Sequence, residues 1–367
     1  MKFTIGAEQF EAVVSKVLGV TEKKQTMPIV GNLLLKVGGN TLLVMGTNTE
    51  IEAGARAIAE SVDEAGEVCV DASKLSAFLR SFDGDKKVTI QTDGEQALLK
   101  CGRSRFKLGT LPTSSFPNID LKNEKWVVQG IEVEADQLLT QLGRVSHAMA
   151  SNDTRAFLNG VLVEIDGKEL RLVATDGHRL AKSILAIESE AKAACILPRK
   201  MVQEMTRCFA RSGKVSLSIS DNHFEVRSNS ERLTSHVIAG KYPDYERVIP
   251  KNTSKTVTTD CSDLAKAMKR SLITSQDVTK GIQLKFDTGL VIESHNQTNE
   301  TCIEELEVDW GHGAFEVGFN GAYLHEALSS IKGGDCLIGF EDTKGAAVLS
   351  ALGSTDNYLV VLMPCRV

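Results

Sequence analysis

Along the chain, apolar positions switch between two spacings, every second residue and every third or fourth, and the same succession of the two occurs three times. In the first copy, residues 2–5 alternate as a strand. Phe10, Val13, Val14, Val17 and Leu18 then form one face of a helix, and Leu75, Phe78, Leu79 and Phe82 form the inward face of a second helix over 73–82. Alternation over 32–37, 41–45, 87–92, 96–101 and 105–108 predicts strands around these helices, and a turn-rich segment at 111–117 closes the copy. The second copy repeats this with a strand at 127–133, a helix stripe of Leu138, Leu142, Val145 and Met149, strands at 159–165 and 170–174, a helix at 199–209 and a hairpin at 215–227. In the third, a strand at 256–259 leads to a helix bearing Leu264, Met268 and Leu272. A strand at 281–286, a helix with Tyr323, Leu324, Ala327, Leu328 and Ile331, a hairpin at 336–349 and a closing strand at 358–363 follow. Gly31, Gly160 and Gly281 open equivalent strands at intervals of 129 and 121 residues. The expected architecture is therefore α+β, with three repeats over 1–124, 125–253 and 254–367, each carrying two helices packed on antiparallel sheets. Repeats of about 120 residues are domain-sized, unlike the short units of a solenoid.

Three turns leave a strand at corresponding places, at 46–50, 175–178 and 295–298. Only the middle one reads Asp176-Gly177-His178-Arg179. An Asp and a His two residues apart suit metal ligation or acid/base work, but taken alone they suit better a capped turn with solvated His and Arg. One specialised copy of a repeated scaffold points to a site added to one unit, not to chemistry intrinsic to the fold.

The chain has 367 residues, 42% hydrophobic and 25% charged, the composition of a soluble globular protein larger than a single core. No apolar run approaches a membrane span, and Met1 leads directly into the first strand, so a cytoplasmic location is expected. The eight cysteines are scattered, without a C-x-x-C pair, which argues against a zinc site or a disulfide framework. No Walker loop, no G-x-S-x-G and no carboxylate cluster at metal spacing is present, and no cofactor is expected. Net charge is −6, yet the six helix-bearing windows sum to +5 and leave −11 on the rest, a distribution that allows a basic face on an acidic body.

The segments MKFT, MPIVGNLLL (27–35), CGRSRFKLGTLP (101–112), FLNG (157–160), VATDGHRLA (173–181), LPRK (197–200), YPDYERVIPKN (242–252), VGFNGAYL (317–324) and VLMPCRV (361–367) occur in this order across all three repeats. By these the chain resembles the bacterial DNA polymerase sliding clamps, the beta subunits of replicative DNA polymerase III. The resemblance implies three clamp domains, a head-to-tail homodimeric ring, duplex DNA threaded through it without sequence readout, and no catalysis. It also implies a pocket for short peptides of polymerases, clamp loader and repair proteins. Carried over residue by residue, that pocket consists of Leu158, Thr175, Gly177, His178, Arg179, Leu180, Pro243, Arg247, Val248, Asn320, Tyr323, Val361, Leu362, Met363, Pro364, Cys365, Arg366 and Val367. Leu158, Leu180, Val248 and Leu362 are expected as apolar walls, Met363 as an adaptable contact, and His178, Arg179 and Asn320 as orienting polar groups.

The resemblance places Lys24, Arg80, Asn152, Arg199, Lys200 and Arg207 toward DNA. It places Lys74, Arg103, Arg105, Phe106 and Leu108 on one subunit edge, opposite Ile273, Glu300, Glu304 and Glu305 on the other. Four positions depart from the compared clamp: Ala156 and Thr279 replace aromatics, Glu246 replaces a basic residue, and Thr274 is less apolar than its counterpart. Two competing functions are a metal-dependent phosphoesterase using Asp176, His178 and Asp153, and a purely structural oligomer. The first predicts metal-dependent hydrolysis, and the second predicts no retention on DNA.

Overall fold

Several of the helices begin where a strand ends in a side chain that caps them. The computed structural model describes residues 1–22, 27–275, 279–331, 333–353 and 357–367. Among them are six α-helices, two per repeat: α1 (Ala7–Leu18), α2 (Ala72–Arg80), α3 (Ala135–Ser146), α4 (Arg199–Cys208), α5 (Cys261–Ser271) and α6 (Gly321–Ser330). The strand Gly66–Asp71 delivers the Asp71 carboxylate to the Lys74 amide at 2.8 Å, starting α2. The strand Lys255–Asp260 does the same for α5 through Asp260 and the Asp263 amide at 2.8 Å. Asn320, ending Phe315–Asn320, accepts from the amides of Ala322 and Tyr323 at 3.0 and 3.2 Å and starts α6. Each such cap is worth about 1 kcal/mol. Phe10, Val13, Val14 and Val17 of α1 are buried as the spacing predicted, and Phe3 meets the Phe10 ring edge-on at 6.1 Å. Phe82 is only half-buried, lying against Phe78 just past the end of α2.

The chain falls into two compact units, Met1–Leu139 with Ala191–Val237, and Thr140–Glu190 with Ile238–Val367. Strands of the middle repeat are divided between the two by hydrogen bonding. In the first unit a 13-stranded sheet includes the pairing of Glu231–His236 from the middle repeat with Ile51–Ile58 from the first, in register from Glu231 opposite Ala55 to Ser235 opposite Ile51. In the second unit, Gly160–Asp166, Glu169–Thr175, Arg179–Ala186, Tyr358–Leu362, Ala347–Ala351, Asp335–Phe340 and Lys255–Asp260 lie side by side in that order. The junction there sets Arg179 opposite Leu362 and Leu180 opposite Val361. A four-stranded sheet, in the order Thr301–Leu306, Leu290–His295, Gly281–Phe286, Phe315–Asn320, completes that unit.

The three turns singled out in the sequence each connect adjacent antiparallel strands, and the strand leaving each turn was not foreseen: Ile51–Ile58, Arg179–Ala186 and Thr301–Leu306. The first two carry several Ala and charged residues, so pairing with neighbours on both sides, not propensity, holds them extended. The closing strand ends at Leu362, one residue short of the expected Met363.

Candidate functional site

The Asp176 turn is built by its own side chains. Thr175 Oγ1 donates to the Arg179 carbonyl at 2.6 Å and accepts the Gly177 amide at 3.1 Å, while Asp176 Oδ1 accepts the amides of His178 and Arg179 at 2.9 and 3.0 Å. Gly177 has φ +89, and a Cβ there would approach the Arg155 guanidinium to 3.4 Å, so only glycine fits without strain. Arg179 is 8% exposed. Its Nε donates to Asp176 Oδ2 at 3.0 Å, its Nη1 reaches Glu326, and the guanidinium lies over the Tyr323 ring, 4.1 Å from the centroid.

These contacts correct two sequence expectations. Arg179 faces inward, held by Asp176 and Glu326, and Asn320 Oδ1 is taken up in capping α6, while His178 is the exposed polar group of that set. Both carboxylate oxygens of Asp176 are likewise engaged. Asp153 is clasped by Arg155 at 3.0 and 2.9 Å, and that bonding holds its carboxyl down at about 2. Among the described residues no group of three or more His, Cys, Asp or Glu side chains could hold a metal ion.

The C-terminal residues lie along this turn. The Met363 amide donates to the His178 carbonyl at 2.9 Å, and the Cys365 amide donates to the Gly318 carbonyl at 2.9 Å. Gly318 is required by the close approach: a Cβ there would sit 2.5 Å from the Cys365 oxygen and 2.6 Å from Val367 Cγ2. The tail is therefore fastened, with Val367 also packed near Gly281.

The YPDY segment is held to the same sheet. The Tyr242 hydroxyl donates to the Val173 carbonyl at 3.4 Å, and Tyr245 donates to Glu164 at 3.0 Å. Glu246 pairs with Lys182, whose ammonium also stands 5.5 Å from the Tyr245 ring centre. Pro243, Arg247 and Val248 are thereby left exposed, Arg247 paired with Asp244 at 2.7 Å.

Leu158, Leu180, Val361 and Leu362 are each about 2% exposed, so they lie beneath the surface and do not form open walls. The apolar surface available to a ligand is instead Val248 (52% exposed), Met363 (48%) and Val367. Thr175, Tyr323 and Pro364 are half-buried, and Cys365 and Arg366 are exposed.

The described groups expected toward DNA are placed on exposed or half-exposed faces, and the basic ones already carry partners. Arg80 donates to Glu11 at 3.2 Å, Lys200 to Glu22 at 2.7 Å, and Arg207 to Glu204 at 3.0 Å. Arg199 is half-buried with interactions of its own, and Asn152 is exposed with φ +58. Lys24 lies outside the described residues. Ala156 is exposed in a short 3-10 helix, and Thr279 is exposed.

Of the two expected edges, Thr301–Leu306 is an edge strand, while Ser104–Leu111 pairs with Gln96–Cys101 along its length and with Gly66–Asp71 at Thr110 and Leu111. In Ser104–Leu111, Arg105 and Phe106 are exposed, Leu108 is half-buried, and Phe106 packs edge-on against Phe78 with ring centroids 4.7 Å apart. Lys74, on α2, and Arg103, in the turn before this strand, are exposed as well. Thr301–Leu306 pairs only with Leu290–His295. Ile273 beside it is 81% exposed. Glu305 is exposed, and Glu300 accepts from Asn296 at 2.5 Å. Glu304 is held by Arg270 at 2.6 Å, which lowers its carboxyl's affinity for a proton. The Thr274 hydroxyl is satisfied by Ser294 at 2.8 Å. Sequence reasoning missed Ile303, 62% exposed on this strand, although its place in the alternation Cys302, Ile303, Glu304 marks it as the outward apolar position. No helix among the described residues is long and apolar enough to cross a membrane.

Comparison with known proteins matches residues 1–120, 132–244 and 246–366 to the N-terminal, central and C-terminal domains of the DNA polymerase III beta subunit. The beta sliding clamp of Pseudomonas aeruginosa is 36% identical over 370 residues, and that of Escherichia coli K12 is 33% identical over 371, both chains being covered completely in each case. A crystal structure of a DnaN sliding clamp (DNA polymerase III subunit beta) from P. aeruginosa, bound to griselimycin, superposes with a TM-score of 0.95 at 34% identity over the whole of both chains. With all three repeats matched in order and the full length aligned, the chain belongs to the beta sliding clamp family, the non-catalytic beta subunits of bacterial DNA polymerase III.

Proposed function

We propose that this chain acts in the cytoplasm as a homodimeric ring around duplex DNA, with three clamp domains per subunit bounded near 1–124, 125–253 and 254–367. Polymerase, clamp loader and repair proteins are tethered through the surface around the Asp176 turn. The observation that carries this reading is the fastened tail: backbone bonds from Met363 to His178 and from Cys365 to Gly318 hold exposed Met363 beside the turn. A fixed tail presents an apolar contact without paying for its ordering on binding.

The subunits close head to tail, the edge bearing Lys74, Arg103, Arg105, Phe106 and Leu108 meeting the edge bearing Ile273, Ile303, Glu300, Glu304 and Glu305. Such a heterologous contact between a basic and an acidic edge closes into a ring of two copies. Arg80, Arg199, Lys200 and Arg207, and separately Asn152, face the duplex. The acidic partners of Arg80, Lys200 and Arg207 compete with phosphates, so the contacts stay loose and the ring slides.

The test is retention on DNA after loading. On closed nicked circles the protein should remain bound through high salt, and on linear DNA it should be lost. If salt strips both alike, topological linkage is the wrong mechanism.

A further inference from the structure

Away from the Asp176 turn, the first unit carries a trough on the face of its 13-stranded sheet. Along the strands Thr41–Thr47, Ile51–Ile58 and Glu231–His236, Leu43 stands opposite Arg56, Met45 opposite Gly54, and Gly54 opposite Arg232. Because Gly54 has no side chain, the surface dips there into a cavity of about 270 Å³ between Leu43 and Met45 on one side and Arg227 and Arg232 on the other. A shallower extension of about 580 Å³ continues along Lys36, Thr41 and Ile58, and Ile58 is 61% exposed.

The charges in this trough are layered. Arg227 is braced by Glu225 at 2.5 Å and Arg232 by Glu52, and both carboxylates are buried while the guanidiniums reach the surface. Arg56 is exposed and its side chain forms no ion pair among the described residues, while its amide donates to the Ser230 carbonyl at 2.8 Å. A ligand therefore meets two braced guanidiniums and the unpaired one of Arg56, with thioether and aliphatic groups opposite.

We propose that this trough docks an extended acidic peptide of a partner protein, one that alternates carboxylate and aliphatic side chains. An extended chain points successive side chains to opposite sides, which suits one charged and one apolar wall. Arg56 supplies the uncompensated charge, and the braced Arg227 and Arg232 are already ordered for bidentate contact with carboxylates. A simple anion would leave Leu43, Met45 and Ile58 unused, and a duplex backbone would not enter a trough with an apolar wall. The site is separate from the Asp176 turn, so its failure leaves the tethering function untouched.

The experiment measures anisotropy of a fluorescein-labelled octapeptide of alternating glutamate and leucine on the full-length protein. Binding should weaken about tenfold with Arg56→Glu, stay within about threefold with Arg56→Lys, and be abolished by Gly54→Leu. At Gly54 a Cβ would meet Leu43 Cδ1 at 3.7 Å and Met45 Cγ at 3.9 Å, ordinary contact, so leucine there fills the trough without disturbing the strand. Deleting residues 363–367 should change nothing. Equal affinity in Arg56→Glu or Gly54→Leu, displacement by equimolar inorganic phosphate or by a duplex oligonucleotide, or loss of binding on the tail deletion would each overturn the proposal.

Discussion

The guanidinium of Arg179 lies 4.1 Å from the centre of the Tyr323 ring, joining the specialised turn of the middle repeat to a helix of the third. The same group bonds Asp176 and Glu326, so one side chain holds the turn, α6 and the ring in a single arrangement. Arg179 thus positions the surface proposed to dock peptides and is itself held within the fold.

Arg179→Ala should destabilise the protein by about 3 kcal/mol, since it leaves Asp176, which is largely buried, without its counter-charge. Arg179→Lys should recover little, because an ammonium cannot form the same fork or stack on Tyr323. Thermal melting of both variants checks this; a lysine variant that melts like the parent would show that charge alone suffices.

Gly318→Ala should behave like removal of the tail. The new Cβ would meet the Cys365 oxygen at 2.5 Å, and a backbone atom cannot rotate away, so residues 363–367 must leave their track. Calorimetry with a polymerase-derived clamp-binding peptide should show at least about tenfold weaker binding for this variant and for the truncated chain, with nearly normal melting. Unchanged affinity in the truncated chain would remove the tail from the site.

Ile273→Asp and Ile303→Asp should each lower the mass in solution from dimer toward monomer. Both side chains are exposed in the isolated chain, so the substitutions cost the fold little while placing charge in an apolar contact. Light scattering reads the outcome, and a dimeric mass in both variants would move the interface elsewhere.

His147 should make the second unit sensitive to acid. Burial first, and then the Arg179 charge, push its imidazole down to about 4 from an ordinary 6.5. The folded state therefore holds it neutral, while the unfolded chain takes up a proton below about pH 6.5. The stability this confers is complete above that value and falls as pH drops toward 4, by roughly 3 kcal/mol in total. Replacing it with an uncharged residue, His147→Gln, should flatten the difference in melting temperature between pH 7 and pH 4.5 relative to the parent. A parallel pH dependence in both proteins would exclude this histidine as the cause.

Periodicity alone located both helices of every repeat, because burying a stripe such as Phe10, Val13, Val14 and Val17 requires their spacing whatever surrounds the helix. It also located the three equivalent turns and the one that differs, and the motifs carried the family. Three things were decided only by tertiary structure. Strands such as Ile51–Ile58 and Arg179–Ala186 have little local preference and exist through partners distant in sequence, Glu231–His236 for one and Tyr358–Leu362 for the other. That pairing also distributes strands of the middle repeat between two units. The direction in which a polar side chain points depends on which partner is within reach. Arg179 and Asn320 read in sequence as ligand-facing groups, yet folding brought each a partner, Glu326 for one and the first turn of α6 for the other. Exposure, finally, is a property of the packed surface: Leu158, Leu180 and Leu362 are as apolar as Val248 and Met363, and only the course of the chain above them determines which are left for a partner to touch.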